Sequence, residues 1–345
     1  MYKERFEEID IAKGIGILLV VIGHSIPDAN TGIQNIFWGG IFKWIYSFHM
    51  GLFMFMAGVL FYKKAISCTQ IKNVKEEISR RALRLLVPYF TFSIIIYIAK
   101  TILSSWSRKP VGIKDIIYIL LGKSPCGNMW FLWTLFIICV LVLFFPKKGK
   151  FPELLVMVTF IIYFFQNSRI LEQWELAKIC KMAIWFTLGM LSFKYKDILM
   201  NLYHRNVKRK TVIVITLLLS VQIVVLNIQK VVDKEFLNLI LQFILILIGI
   251  ILVLVISFLL KNTVIARRLR ICGRQSMDIY VLSYLVTTPG IVMYSKTNGG
   301  GIPYNIWVIG LALSSICFSF LSAKYIRKYK ILKLLVLGEK DDSKV

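Results

Sequence analysis

The groups in this chain that could do chemistry are two histidines and a pair of arginines. His24 closes an apolar run, Ile9-Asp10-Ile11-Ala12-Lys13-Gly14-Ile15-Gly16-Ile17-Leu18-Leu19-Val20-Val21-Ile22-Gly23-His24-Ser25, long enough to enter a bilayer. Ionisable groups inside such a segment are expensive and usually face a protein interior or a wet cavity, which makes Asp10, Lys13 and His24 functional candidates. An imidazole, with an unperturbed pKa of about 6.5, suits proton transfer, although a lone histidine at a segment end also fits a satisfied interface residue. Asp10 and Lys13 stand three apart on one helical face and can pair, as a structural ion pair or as the lining of a polar mouth. Asp10 lies about 21 Å along a helix from His24, too far to orient it. His49, in Tyr46-Ser47-Phe48-His49-Met50-Gly51-Leu52-Phe53, is a second buried polar group, either packed on one hydrogen bond or meeting the first segment across a short loop.

In Ser79-Arg80-Arg81-Ala82-Leu83-Arg84-Leu85-Leu86-Val87-Pro88-Tyr89-Phe90, Arg81 and Arg84 share a helical face at the start of the third segment. They fit plain boundary charge, or a phosphate clamp: guanidinium forks grip phosphate bidentately and keep their charge when desolvated. A nucleotide-bearing acyl donor such as coenzyme A presents several phosphates to such a clamp. Neither a P-loop nor a Gly-rich dinucleotide fingerprint occurs, so ATP-driven and NAD chemistry lack support.

The elements that must hold these groups are membrane helices. Of 345 residues 57% are hydrophobic, against about 45–50% in ordinary soluble domains, and the mean hydropathy is +0.71. A bilayer needs about 20 residues of apolar helix. Ten stretches approach that length: 9–26, 41–62, 83–104, 129–146, 152–166, 179–194, 211–229, 236–260, 276–294 and 304–325. The sequence therefore predicts an all-α, polytopic bundle of about ten transmembrane helices. Residues 1–330 form one membrane domain and 331–345 a short cytoplasmic tail; the stretch Lys324–Leu337 interleaves bases with Ile and Leu and suits the inner leaflet. Within the loop 105–128, Ile113–Leu121 fits an interfacial or re-entrant helix.

The net charge of +25 would suggest nucleic acid in a soluble protein, but no soluble basic face exists to carry it. The bases instead gather in alternate connections: 63–82, 195–210, 261–275 and the tail are rich in Lys and Arg, whereas 27–40 has none and 295–303 only Lys296. The positive-inside rule then places both termini in the cytoplasm. Trp38, Trp44, Trp106, Trp130 and Trp174 fall near segment ends as interface aromatics do. Six cysteines show no metal spacing and fit small buried residues; Cys126 and Cys180, both near the outer face, raise the question of a disulfide. No metal site and no cleavable leader are expected.

At these residues the chain resembles the membrane-bound acyltransferase family 3, and within it the sugar O-acetylase branch similar to fucose 4-O-acetylase. The resemblance is carried by Ile9-Asp10-Ile11-Ala12-Lys13-Gly14-Ile15-Gly16-Ile17 leading to Gly23-His24-Ser25, by Phe48-His49-Met50-Gly51-Leu52-Phe53 with Ala57-Gly58, by Arg81-Ala82-Leu83-Arg84-Leu85-Leu86-Val87-Pro88-Tyr89, and by Gly127-Asn128-Met129-Trp130-Phe131-Leu132. A weaker match is Gly273-Arg274-Gln275-Ser276-Met277-Asp278-Ile279-Tyr280. Gly51 replaces a frequent proline, and Ser283 stands where many relatives have a late histidine.

The resemblance implies an enzyme of a bacterial cytoplasmic membrane that moves an acetyl group from cytoplasmic acetyl-CoA to a sugar hydroxyl of a surface polysaccharide or lipid-linked glycan. It assigns His24 to catalysis, as general base or acyl carrier, and Arg81 and Arg84 to the phosphates of the acetyl-CoA donor. Asp10 and Lys13 fall beside the donor path, and His49 and Trp130 are supporting or substrate-binding groups. Because Arg84 and His24 sit at opposite boundaries, a water-filled funnel on the outer side is expected to let the sugar dip inward. Glu172 and Glu175 are conceivable acceptor contacts. The competing readings are a transporter or flippase of lipid-linked saccharides and a scaffold with incidental histidines. The acceptor, the choice of acetyl or succinyl, and self-association stay open.

Overall fold

The computed structural model describes residues 6–27, 35–67, 74–104, 111–145, 151–167, 171, 176–203 and 210–340, and among them the chain forms α-helices and no strand. The helices are α1 (Glu7–His24), α2 (Ile36–Ser67), α3 (Val74–Ile102), α4 (Lys114–Leu120), α5 (Trp130–Phe144), α6 (Phe151–Tyr163) and α7 (Leu176–Lys194). They continue as α8 (Lys196–Leu202), α9 (Thr211–Val231), α10 (Glu235–Leu260), α11 (Val264–Arg274), α12 (Ser276–Thr297), α13 (Tyr304–Ile326) and α14 (Lys330–Leu337). Each of the ten apolar stretches coincides with a helix. Seven of these helices (α2, α3, α7, α9, α10, α12 and α13) are long and apolar enough to cross a membrane, so the protein is a polytopic helical membrane protein.

The other three stretches fall short for separate reasons. α1 begins with Glu7, Glu8 and Asp10 and carries Lys13. α5 and α6 have only 15 and 13 residues, about 22 and 20 Å at the helical rise, against an apolar thickness of about 30 Å. The loop before α5 makes up part of the difference, since its Cys126, Asn128 and Met129 are buried. Irregular backbone at that depth must be satisfied by protein. Lys100 Nζ donates to the Pro125 carbonyl at 2.8 Å, and the Tyr280 hydroxyl donates to the Asn128 carbonyl. The helix expected within 105–128 is present as α4, tied to α3 by the Tyr89 hydroxyl donating to the Ile119 carbonyl at 2.7 Å.

Backbone contact at glycines sets how the central helices meet. α2 and α7 pack extensively: a Cβ on Gly58 would fall 1.9 Å from the Phe186 carbonyl oxygen, and one on Gly189 would fall 2.0 Å from that of Phe55. α1 and α11 repeat the device, with Gly14 against Leu269 and Gly273 against Asp10. Small residues permit this approach where lipid supplies no hydrophobic drive between helices. α10 packs on α1 and α2, and α9 flanks α10 with most of its surface outward. Polar bonds fasten that flank: Trp44 Nε1 donates to Gln222 Oε1 at 2.8 Å, and Gln222 Nε2 to the Leu245 carbonyl at 3.3 Å.

Ion pairs gather at the end of the bundle where α1 begins. Glu7 pairs with Arg270 at 2.5 Å, Glu8 with Lys261, and Asp10 with Arg274 at 3.2 Å. Cys126 and Cys180 are free thiols, so the disulfide question is answered in the negative. Trp106, Trp174, Glu172, Glu175 and Cys68 lie outside the described residues.

Candidate active site

His24 ends α1 at the opposite end of the bundle from the ion pairs, beside a cavity of about 310 Å³. The cavity wall contains His24, Tyr46, His49, Gly127, Asn128, Trp130, Lys178, Lys181, Gln242 and Tyr280. Three of the expected site residues, His24, His49 and Trp130, therefore meet at one void, brought there by α1, α2 and α5. α2 supplies the ring that joins the two histidines. Tyr46 lies edge-on to both, with centroids 5.8 Å from His24 and 4.8 Å from His49, and its Oη is 3.0 Å from His24 Nδ1. His49 Nδ1 lies 2.8 Å from the Ile45 carbonyl. A carbonyl only accepts, so Nδ1 carries the proton and neutral His49 keeps its lone pair on Nε2.

The loop before α5 closes the cavity from the side of α12. Tyr280 and Asn128 bond reciprocally, since Asn128 Nδ2 also donates to the Tyr280 carbonyl at 3.4 Å. The weakest of the sequence matches thus contributes a wall residue through Tyr280. Gly51 serves the packing beside the cavity, where an added Cβ would fall 2.3 Å from Ile246. Ser283, at the position of the relatives' late histidine, is buried with its carbonyl accepting from Thr287 and Ser315, and it does not line the cavity.

Arg81 and Arg84 lie elsewhere, in the ionic end. The Arg81 guanidinium pairs with Glu77 at 2.9 Å, reaches Cys139 Sγ at 3.2 Å and stacks 4.6 Å from the Phe61 ring centroid. Its Nε–H is buried with no partner among the described residues. Arg84 is held by the Glu339 carboxylate at 2.9 Å and the Leu337 carbonyl at 2.6 Å, with Asp278 at 3.8 Å. Arg327 completes the cluster, 2.5 Å from Asp278 and 3.1 Å from Glu339. Burial works to raise the Glu339 carboxyl, but Arg327 and Arg84 outweigh it and hold it below its ordinary range. Asp10 takes Arg274 as its partner, and Lys13 lies in the field of Asp10, Arg84 and Asp278.

The C-terminal segment turns back to reach this cluster. α14 packs on α3, buries Leu337 and stops at Gly338, whose φ is +62°. That left-handed conformation favours glycine, and a Cβ there would fall 2.3 Å from the Leu83 carbonyl oxygen. Ile331, Leu332 and Leu335 stay on the exposed face.

The two clusters approach each other along α12. Asp278 belongs to the ionic cluster, and Tyr280, two residues on and about 3 Å further by helical rise, belongs to the cavity wall. Sequence reasoning gave no role to Tyr46, Lys178, Lys181, Gln242, Asp278 or Glu339. For the lysines a signal was available: a three-residue spacing puts both on one helical face.

The chain is 33% identical over 136 residues to the nodulation protein NolL of Mesorhizobium japonicum, covering 39% of this chain and 34% of that one. It is 32% identical over 127 residues to NolL of Sinorhizobium fredii, covering 36% and 32%. The matched stretch thus spans about a third of the length of these curated relatives. No solved structure matches the chain. The Acyltransferase domain family matches from residue 6 to residue 324, and the chain belongs to the membrane-bound acyltransferase family 3.

Proposed function

We propose that the protein is a membrane O-acyltransferase that moves an acetyl group from cytoplasmic acetyl-CoA to a sugar hydroxyl of a cell-surface polysaccharide or lipid-linked glycan. The convergence of His24, His49 and Trp130 on one cavity, with Tyr46 against His24, carries this reading. The acceptor hydroxyl gives its proton to His24 Nε2 while its oxygen attacks the thioester carbonyl. The C–S bond breaks, and the coenzyme A thiolate recovers the proton from the imidazolium. For Nε2 to accept, Nδ1 must keep its proton and donate it to Tyr46 Oη. In a two-step route Nε2 takes the acyl group first and then yields it to the hydroxyl.

The donor enters from the ionic end, with its phosphates on Arg81 and Arg84. The Arg81 Nε–H, without a partner among the described residues, supports a docking anion there, and Arg84 gives up Glu339 to take one. The short step from Asp278 to Tyr280 eases the reach demanded of the pantetheine arm, and the sugar descends from the His24 side. Both termini then face the cytoplasm of a bacterial cell, the side that the positive-inside rule favours for the basic connections.

The test is thiol release and product formation by the purified chain with acetyl-CoA and a glycan acceptor. His24→Ala should cut the rate by about 10²–10⁴-fold, the usual contribution of a general base. Unchanged product from that variant would end the proposal, and glycan movement across vesicles without thiol release would favour a flippase.

A further inference from the structure

Two imidazoles line one cavity, and the fold prepares them differently. Tyr46 and His49 stand three apart on α2, so they share a helical face, and the Tyr46 ring lies against both His49 and His24. The Ile45 carbonyl, 2.8 Å from His49 Nδ1, holds the proton on that nitrogen. His49 Nε2 is thereby left as an acceptor, with no hydrogen-bond partner among the described residues. His24 meets a hydroxyl instead, with Tyr46 Oη 3.0 Å from its Nδ1. A hydroxyl both donates and accepts, so this partner suits His24 whichever of its nitrogens carries the proton. A transfer in one step needs one base, yet this cavity holds a second, with a lone pair that its own packing does not use.

We propose that the transfer runs in two steps and that His49 is its second catalytic residue, the base that takes the proton of the acceptor hydroxyl while His24 carries the acetyl group. His49 in this role rests on the acyltransferase reading and selects its two-step route. In the first step His24 Nε2 attacks the thioester carbonyl. The C–N bond forms, the C–S bond breaks, and the coenzyme A thiolate leaves beside an acylimidazolium. In the second step the acceptor oxygen attacks the acyl carbon and its proton passes to His49 Nε2. The C–N bond breaks and returns neutral His24. His49 then yields the proton to the thiolate, and the sum is one ester and one thiol. His24 cannot be the base of the second step, because its Nε2 is bonded to the acyl carbon and its Nδ1 faces Tyr46. Covalent catalysis commonly divides nucleophile and base between two side chains in this way.

The experiment uses the full chain in lipid nanodiscs and two readouts. The first is exchange of labelled coenzyme A into acetyl-CoA without any glycan, which the first step and its reversal alone produce. The second is acetyl transfer to methyl fucoside, methyl glucoside and water. The parent should show both activities, and His24→Ala should lose both. His49→Gln keeps a donor for the Ile45 carbonyl; it should retain the exchange and lose transfer by about 10²–10⁴-fold, the usual contribution of a general base. A residue that only packed the cavity would not separate the two activities. Parent-like transfer by His49→Gln would overturn the role of His49, and so would a parent that transfers acetyl without exchanging coenzyme A. If His49→Gln loses both activities, His49→Ala with added imidazole decides: restored transfer supports the base, and no restoration overturns it. Failure of His49 alone leaves the parent transferring acetyl, whereas a parent with neither activity overturns the acyltransferase reading and this role with it.

Discussion

The two polar regions of the bundle differ in what their groups face. At the ionic end Glu7 and Asp10 hold bases of α11, Glu8 holds Lys261 just past α10, and Arg84 and Arg327 share Asp278 and Glu339. At the other end two histidines, two lysines and two amides face a void of about 310 Å³. A ligand at the cavity meets groups already turned toward it. A ligand at the arginines must displace a carboxylate, and this chain provides the competitor in Glu339. Under the proposed function the difference would divide the reaction, with the reacting atoms in the cavity and the donor's phosphates at the ionic end.

That division makes its sharpest demand on kinetic constants. His24→Ala should lower kcat by about 10²–10⁴-fold while leaving the KM for acetyl-CoA as it was. Arg81→Gln with Arg84→Gln should do the reverse, raising the donor KM by about tenfold or more through lost charge-assisted bonds and keeping turnover at saturation. Steady-state kinetics across donor concentrations reads both. Arginine variants that lowered kcat alone would move the arginines into the chemistry and break the comparison.

A smaller effect of opposite sign is expected from Glu339→Gln. The Arg84–Glu339 pair is partly exposed, with side chains 36% and 25% accessible, and such pairs contribute up to about 1 kcal/mol. Freeing Arg84 should therefore lower the donor KM by up to about fivefold. A KM that rose instead would show Glu339 ordering the arginines for the donor rather than competing with it.

The two regions were not equally legible in the sequence. His24 and His49 stood out because an imidazole in an apolar helix is expensive wherever it lies, and Trp130 because it falls at a segment end within a stretch that resembles the family. The ten helical stretches followed from apolar length alone, although α5 and α6 are too short to span and, for α5, the loop that buries Cys126, Asn128 and Met129 makes up part of the difference. Lys178 was hidden for a local reason: a segment starting at 179 leaves it outside as a boundary charge, whereas α7 begins at Leu176 and carries it inside. The carboxylate on Arg81 was readable, since Glu77 precedes it by one helical turn. The carboxylates on Arg84 were not, because Asp278 and Glu339 arrive from 194 and 255 positions away. Only the fold brings them there, Glu339 through the packing of α14 on α3.

Tyr46 offers the finest probe of the cavity. Its hydroxyl sits 3.0 Å from His24 Nδ1 while its ring stays edge-on to both histidines. Tyr46→Phe removes the oxygen and keeps the ring, so His24 should hold its place and lose only the hydroxyl at its Nδ1. One neutral hydrogen bond is worth about 0.5–1.5 kcal/mol, so kcat should fall by about two- to tenfold with the donor KM unchanged. His49 needs no such help, because a backbone carbonyl that side-chain substitution does not delete sets its tautomer. Should Tyr46→Phe cost as much as His24→Ala, the tyrosine hydroxyl would be a proton carrier in its own right, and the cavity's chemistry would belong to the pair.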